Sequence, residues 1–165
     1  MPRTKLHPVA LLTTLGGALA LAVALGSQYW GGLVPCALCL LERWPYRVVV
    51  GLGLIALFVP YRATRILLWL AVLTLLGGVA LAGIHVGVEQ GLWPSPLPEC
   101  AAPHLSGATI SQMLATMPAR PSKPCDAPTY LIPGLPLSMA ATNLIYTLAF
   151  ATVLAAALLK RRGIH

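Results

Sequence analysis

Residues 66–88, "ILLWLAVLTLLGGVALAGIHVGV", contain no Lys, Arg, Asp or Glu. A helix rises 1.5 Å per residue, so ~20 apolar residues cross ~30 Å of hydrocarbon. The stretch therefore reads as a membrane-crossing helix. The same reasoning applies on either side of it. Pro8 to Gly26 carries no charge, and neither does Leu137 to Leu159. A further run, Trp44 to Val59, carries only Arg47. It is short for a span unless it borrows Leu40 and Leu41 or the membrane thins around it. The expected fold is an all-α membrane protein, a four-transmembrane-helix bundle with approximate spans 8–27, 41–59, 66–88 and 137–159. The loops are then 28–40 and 89–136, within a single domain over 1–165.

Composition agrees. The chain is 58% hydrophobic and 9% charged, whereas soluble domains carry about 25% charged residues. The formal charge of +7 raises the question of nucleic acid, but its distribution argues against that. Arg3 and Lys5, Arg62 and Arg65, and Lys160, Arg161 and Arg162 all fall on one side of a four-span bundle. The other side holds Arg43, Arg47, Arg120 and Lys123 together with all four acids, Glu42, Glu89, Glu99 and Asp126. The positive-inside rule places both termini in the cytoplasm, with the basic clusters against anionic lipid headgroups. No basic stripe with interleaved aromatics tracks a nucleic-acid backbone. The basic N-terminus and its small-residue end near Ala24 to Ser27 imitate a signal peptide. Its apolar stretch exceeds the usual ~7–15 residues of such a leader, so an uncleaved first helix is expected.

The loop 89–136 holds ten of the fifteen prolines, which excludes long helices there. Ala108 to Ala119 escapes. Ile110, Met113, Leu114 and Met117 recur at i, i+3, i+4 and i+7, the apolar stripe of a short helix. That helix is expected to lie in the membrane interface or to pack on the protein's own surface. Trp30, Trp44, Trp93 and Tyr130 sit where belt residues sit. Small residues, Gly16, Gly17 and Ala20 in the first span and Gly77, Gly78 and Gly83 in the third, allow close helix approach.

The four cysteines, Cys36, Cys39, Cys100 and Cys125, all fall on the exported side, where disulfides persist. Three readings remain open. Zinc would use four thiolates, but structural zinc sites have a second close pair, and here 24 residues of proline-rich loop separate Cys100 from Cys125. Haem attachment needs C-x-x-C-H, and Leu40 follows Cys39. Two inert disulfides are possible, as are redox-active pairs. A helix turn starting at Pro35 would put Cys36 in its first turn, where the dipole favours a thiolate. Arg43, four residues after Cys39, would share its face and lower its pKa, unless it snorkels to headgroups. Pro45 limits that helix. Cys100 and Cys125, in an irregular loop, would be open to a partner's thiolate. A soluble-facing pair and a membrane-facing pair would make an electron relay.

"PCALCLLERWPYR" at 35–47, the four spans, the cysteines 25 positions apart, "HVGVEQGLWPSP" before Cys100, "CD" at Cys125 and "LSMAATN" at 137–143 together resemble the disulfide bond formation protein B (DsbB) family of bacterial inner-membrane thiol oxidases. The resemblance covers nearly the whole chain. It implies reoxidation of a periplasmic, thioredoxin-fold DsbA-like oxidase, with electrons passed to membrane quinone, ubiquinone or menaquinone. It implies that Cys100 is attacked by the partner's thiolate and that Cys125 can then pair with Cys36. Cys39 would meet the quinone, and Arg43 would lie beside its head. Some members carry a histidine near the quinone. Counting back from Cys100, Gly87 falls near that place and His85 lies two residues earlier. His85 is the candidate for that role, and Glu89 is its candidate partner or a solvated interface acid. No metal is expected. The alternatives are a variant oxidase with a dedicated partner, or a non-enzymatic scaffold with two structural disulfides.

Overall fold

The computed structural model describes residues 6–100, 109–115, 123–130, 134 and 136–160. The described residues are all-helical, with two isolated bridges and no strand. The elements are α1 (His7–Tyr29), α2 (Ala37–Leu41), α3 (Arg43–Phe58), α4 (Tyr61–Glu89), a 3-10 turn (Pro98–Cys100), α5 (Ile110–Ala115) and α6 (Met139–Lys160).

Three helices, α1, α4 and α6, are long and apolar enough to cross a membrane. They correspond to the expected spans 8–27, 66–88 and 137–159. The expected span 41–59 is the 16-residue α3, about 24 Å long at 1.5 Å per residue. It follows the five-residue α2 with only Glu42 between them. Pro45 sits in α3's first turn, where a missing N–H leaves no bond unmade.

The helices pack in series, α1 on α3, α3 on α4 and α4 on α6, with a lighter α1–α6 contact. Adjacent helices alternate in direction. Leu6 and Val9 before and at the start of α1, Ala56 near the end of α3, Leu68 of α4 and Leu158 at the end of α6 share one buried cluster. Leu15 and Leu19 of α1, Leu73 of α4 and Ile145 and Val153 of α6 remain exposed. Outward apolar side chains suit a lipid surround. The α3–α4 turn is closed by Thr64, whose Oγ1 faces the carbonyls of Ala56, Val59 and Pro60 at 3.1, 3.2 and 3.2 Å. It thereby occupies carbonyls that a helix end leaves unpaired.

Glycines permit the closest approaches, though not all the expected ones. A Cβ on Gly16 would lie 2.6 Å from the Phe150 ring, and one on Gly17 would lie 2.8 Å from Val50. A Cβ on Gly78 would lie 3.3 Å from Pro45 and Thr147, whereas Gly77 and Gly83 face open space. The tightest backbone approach between helices is at Gly53, where a Cβ would lie 2.9 Å from the Thr14 backbone nitrogen.

Helix α5 covers six residues of the expected Ala108–Ala119 segment. Of its expected stripe, only the Ile110 side chain is among those described, and it is exposed. Met113, Leu114 and Met117 lie outside the described side chains, as do His104, Arg120 and the terminal basic residues Arg3, Lys5, Arg161 and Arg162.

Candidate active site

The loop between α1 and α2 ends at Pro35, and Cys36 takes an extended backbone with φ −77° and ψ 171°. Helix α2 begins one residue later, so Cys36 is its N-cap rather than a member of its first turn. Ser, Thr, Asp or Asn usually fills that position, because the side chain accepts a bond from an unpaired N–H. Here the Cys36 sulfur accepts from the Cys39 backbone N–H at 3.2 Å. The Cys36 and Cys39 sulfurs stand 2.9 Å apart and are not bonded. Disulfide closure to ~2.05 Å needs only a small rotation.

Helix α4 brings His85 to the same sulfur. His85 is 2% exposed, with Nε2 3.5 Å from Cys36 Sγ and Nδ1 2.9 Å from Glu42 Oε1. Asn143 of α6 donates its Nδ2 to Glu42 Oε2 at 2.9 Å. The Tyr46 hydroxyl of α3 donates to Asn143 Oδ1. Helices α4 and α6 thus both bond one carboxylate that stands at the α2–α3 joint, with Tyr46 bonded behind Asn143.

Two hydrogen bonds and a neighbouring imidazole favour the Cys36 thiolate. The Cys39 thiol leads, against the opposing effect of burial, and the Cys36 pKa is lowered to about 4. Cys39 shifts the other way, because its thiol donates to Cys36 and is buried besides. Arg43 and Cys39 do act on each other electrostatically, as expected, but Cys36 and burial outweigh that influence on Cys39. The Arg43 guanidinium, 7% exposed, turns towards α1 and donates to Gln28 Oε1 at 2.7 Å and to the Ala24 carbonyl at 3.3 Å.

Cys100 and Cys125 form a disulfide. They are 3% and 1% exposed, so the accessible bond expected from an irregular loop is instead covered. The reason is local. The Cys125 N–H donates to the Cys100 carbonyl at 3.2 Å, and Lys123 bridges to the Cys36 backbone. Cys36, Cys100 and Cys125 share a buried cluster with Leu38 and Val88, and Cys39 packs against it. Both cysteine pairs therefore meet at one end of the bundle.

Beside this cluster lies an apolar cavity of about 350 Å³ between α1, α3 and α6. Leu19, Val23, Val34 and Tyr146 supply greasy wall, and Cys39, Glu42, Arg43 and Asn143 supply polar groups. Among the described residues, Arg43 Nε is buried without a hydrogen-bond partner. A buried orphan donor at a cavity edge suits a ligand oxygen. The cavity thus fits an apolar molecule bearing a carbonyl. His85 is not among its lining residues; it reaches Cys36 instead. Position 87 has no room for a side chain. A Cβ there would lie 2.0 Å from the Trp93 ring, and the Trp93 indole N–H donates to the Ile84 carbonyl at 3.1 Å. Glu89 accepts from Ser138 Oγ, tying the end of α4 to the start of α6 rather than pairing with His85.

Cys36, Cys39 and His85 lie close enough to share a metal ion. Two thiolates on one tetrahedral zinc sit ~3.8 Å apart, from bonds of ~2.3 Å. The observed 2.9 Å is shorter and suits disulfide closure better. With Cys100 and Cys125 bonded to each other, a four-thiolate site is not formed.

Glu42, Asn143 and Tyr46 were not singled out from the sequence for chemistry. Glu42 carried a signal: an acid inside a predicted span, 41–59, is a functional candidate by default.

The family model "Disulfide bond formation protein DsbB" matches residues 6–157. The chain is 30% identical over 156 residues to disulfide bond formation protein B of Cupriavidus metallidurans, covering 92% of this chain and 91% of the relative. It is 31% identical over 148 residues to disulfide bond formation protein B of Ralstonia nicotianae, covering 84% of each. No solved structure matches.

Proposed function

The chain belongs to the DsbB family of disulfide bond formation proteins, and from that premise we propose that it is a membrane thiol oxidase linking a DsbA-like periplasmic dithiol oxidase to membrane quinone. One observation carries the reading. A buried disulfide and a free C-x-x-C pair share one cluster, and the second sulfur of that pair lines an apolar cavity with an orphan arginine donor.

The partner's thiolate attacks Cys100, and the loop carrying Cys100 and Cys125 must first lift, since the bond is covered. The released Cys125 thiolate lies in the same cluster as Cys36, so exchange into the C-x-x-C pair needs no long transfer. Exchange proceeds sulfur by sulfur through mixed disulfides. Cys36 and Cys39 become reduced and then close again. The quinone, ubiquinone or menaquinone, supplies the oxidising power when bound. Arg43 and Asn143 orient its oxygens and the apolar wall excludes water. Both termini are then cytoplasmic and the cysteine end faces the periplasm of a bacterial inner membrane. α3, lengthened by α2, completes a four-span bundle.

The test uses purified protein in detergent, a short-chain quinone and a reduced thioredoxin-fold oxidase, with quinone absorbance followed in time. Wild type should consume quinone, while Cys39→Ser and Cys100→Ser should not. Absence of quinone loss with several dithiol donors and both quinone classes overturns the reading and leaves the cysteines as staples.

A further inference from the structure

Closing the Cys36–Cys39 bond releases two electrons and two protons, and converting a quinone to a quinol consumes both. Cys39 lines the cavity, so its proton has a direct exit. Cys36 is buried and is not among the lining residues. The proton it sheds on becoming a thiolate needs a route.

We propose that His85 and Glu42 form that route, His85 taking the proton from Cys36 and Glu42 delivering it to the quinone oxygen in the cavity. The inference rests on the quinone-linked reading above and deepens it. Nδ1 of His85 faces a carboxylate oxygen at 2.9 Å, which fixes the proton of the neutral ring on Nδ1. Nε2 is left as a lone pair, 3.5 Å from Cys36 Sγ. A ring held this way is set to accept, because a carboxylate behind an imidazole fixes its tautomer and raises its basicity. In the reduced pair Cys36 is the thiolate and the proton it has shed rests on Nε2; the Nδ1 proton then passes to Glu42 Oε1, and the protonated carboxyl releases it into the cavity that Glu42 lines. One proton enters the chain and one leaves it. The Cys36 thiolate then attacks Cys39 sulfur as the disulfide forms and the electron pair leaves to the quinone.

No branch competes with this exit. Asn143 Nδ2 donates to the other oxygen of Glu42, and an amide does not relay protons. Tyr46 and Thr147 bond Asn143 rather than Glu42, and Tyr46 lines the cavity without touching the carboxylate. Glu42 is therefore the last titratable group on the route from His85 to the cavity. His85 touches a reacting atom and is a catalytic residue; Glu42 also positions it.

The deciding variant is Glu42→Gln, assayed on full-length protein in detergent with a short-chain quinone in H2O and in D2O. Loss of a proton-transfer group costs ~10²-fold in kcat with KM for quinone held within ~threefold. The solvent isotope effect on kcat should rise as proton delivery becomes limiting. Without quinone, the Cys36 thiolate absorbance of the reduced variant should titrate at higher pH than that of wild type, because the imidazole that takes its proton has lost the carboxylate behind it. An unchanged titration overturns the transfer to His85. His85→Gln should behave alike. A kcat within ~threefold of wild type overturns the relay. So does a loss in which kcat and KM worsen together with no change in isotope effect, which marks a purely structural carboxylate. A wild type that consumes no quinone overturns the oxidase reading itself, whereas quinone consumption by wild type and Glu42→Gln at equal rates overturns the relay alone.

Discussion

The two ends of the bundle are held together differently. At the end where α1 begins and α6 finishes, Ala10, Val49, Leu68, Ala71 and Leu154 pack with almost no exposure. At the other end, α4 and α6 are tied to the cysteine segment through His85, Glu42, Asn143 and Tyr46. Apolar packing is non-directional and tolerates any side chains that fill the volume. A buried polar network is directional, and each missing partner leaves an unsatisfied group. One end is built for cohesion, and the other sets sulfur, imidazole and carboxylate at fixed distances.

The largest break in that contrast should come from Cys39→Ser, which should remove quinone-dependent turnover altogether while leaving the protein folded in a detergent thermal melt. Residual turnover with quinone would mean electrons leave by another sulfur. The next is electrostatic. Cys36, lowered from 9.0 to about 4, is a thiolate above that pH and gains its proton as pH falls through it. In the reduced protein one thiolate should persist in the ultraviolet absorbance at pH 6 and fall by half near pH 4, whereas Cys39, shifted upward, should add none at neutral pH. An ordinary titration for all the thiols would show that the capping geometry of Cys36 has no electrostatic consequence.

Arg43→Met should raise the quinone KM by ~10–100-fold, the equivalent of a charged hydrogen bond worth ~1.5–3 kcal/mol. An unchanged KM would remove Arg43 from the cavity's function. At the cohesive end, Gly53→Ala should destabilise by ~1–3 kcal/mol through overpacking against the Thr14 backbone, read as a lower unfolding midpoint. Ala at Gly77, which faces open space, is the neutral companion. The smallest effect belongs to Tyr46→Phe, which deletes a bond to Asn143 and should cost ~1 kcal/mol. A change in turnover larger than that stability loss would draw Tyr46 into the chemistry.

Much of the architecture was legible from residue order. Long charge-free runs are a direct imprint of hydrocarbon, which penalises charge wherever it falls. Helices α1, α4 and α6 could thus be bounded to within a few residues, apart from the start of α4. That start comes five residues before the expected Ile66, because Pro60 and Thr64 organise the turn. The C-x-x-C pair, the distant second pair and Arg43 were also legible, since spacing and family resemblance both concern neighbours in sequence. Pairings that depend on helix rotation were not. Gly53 carries no spacing signal, and its role exists only because α1 crosses α3 at Thr14. Glu42 and His85 are 43 positions apart, and nothing local to either announces the other.

Taken alone, the sequence determined the membrane-embedded helical class, the family, and the four sulfurs to which the proposed redox chemistry is assigned, because each depends on composition or short spacing. Tertiary structure decided which sulfur faces the His85 imidazole and that the loop disulfide is covered. It also decided that His85 faces Cys36 rather than the cavity, and that Glu42 joins the two. Those outcomes depend on directional contacts between helices distant in sequence, whose distances and angles no one-dimensional pattern records.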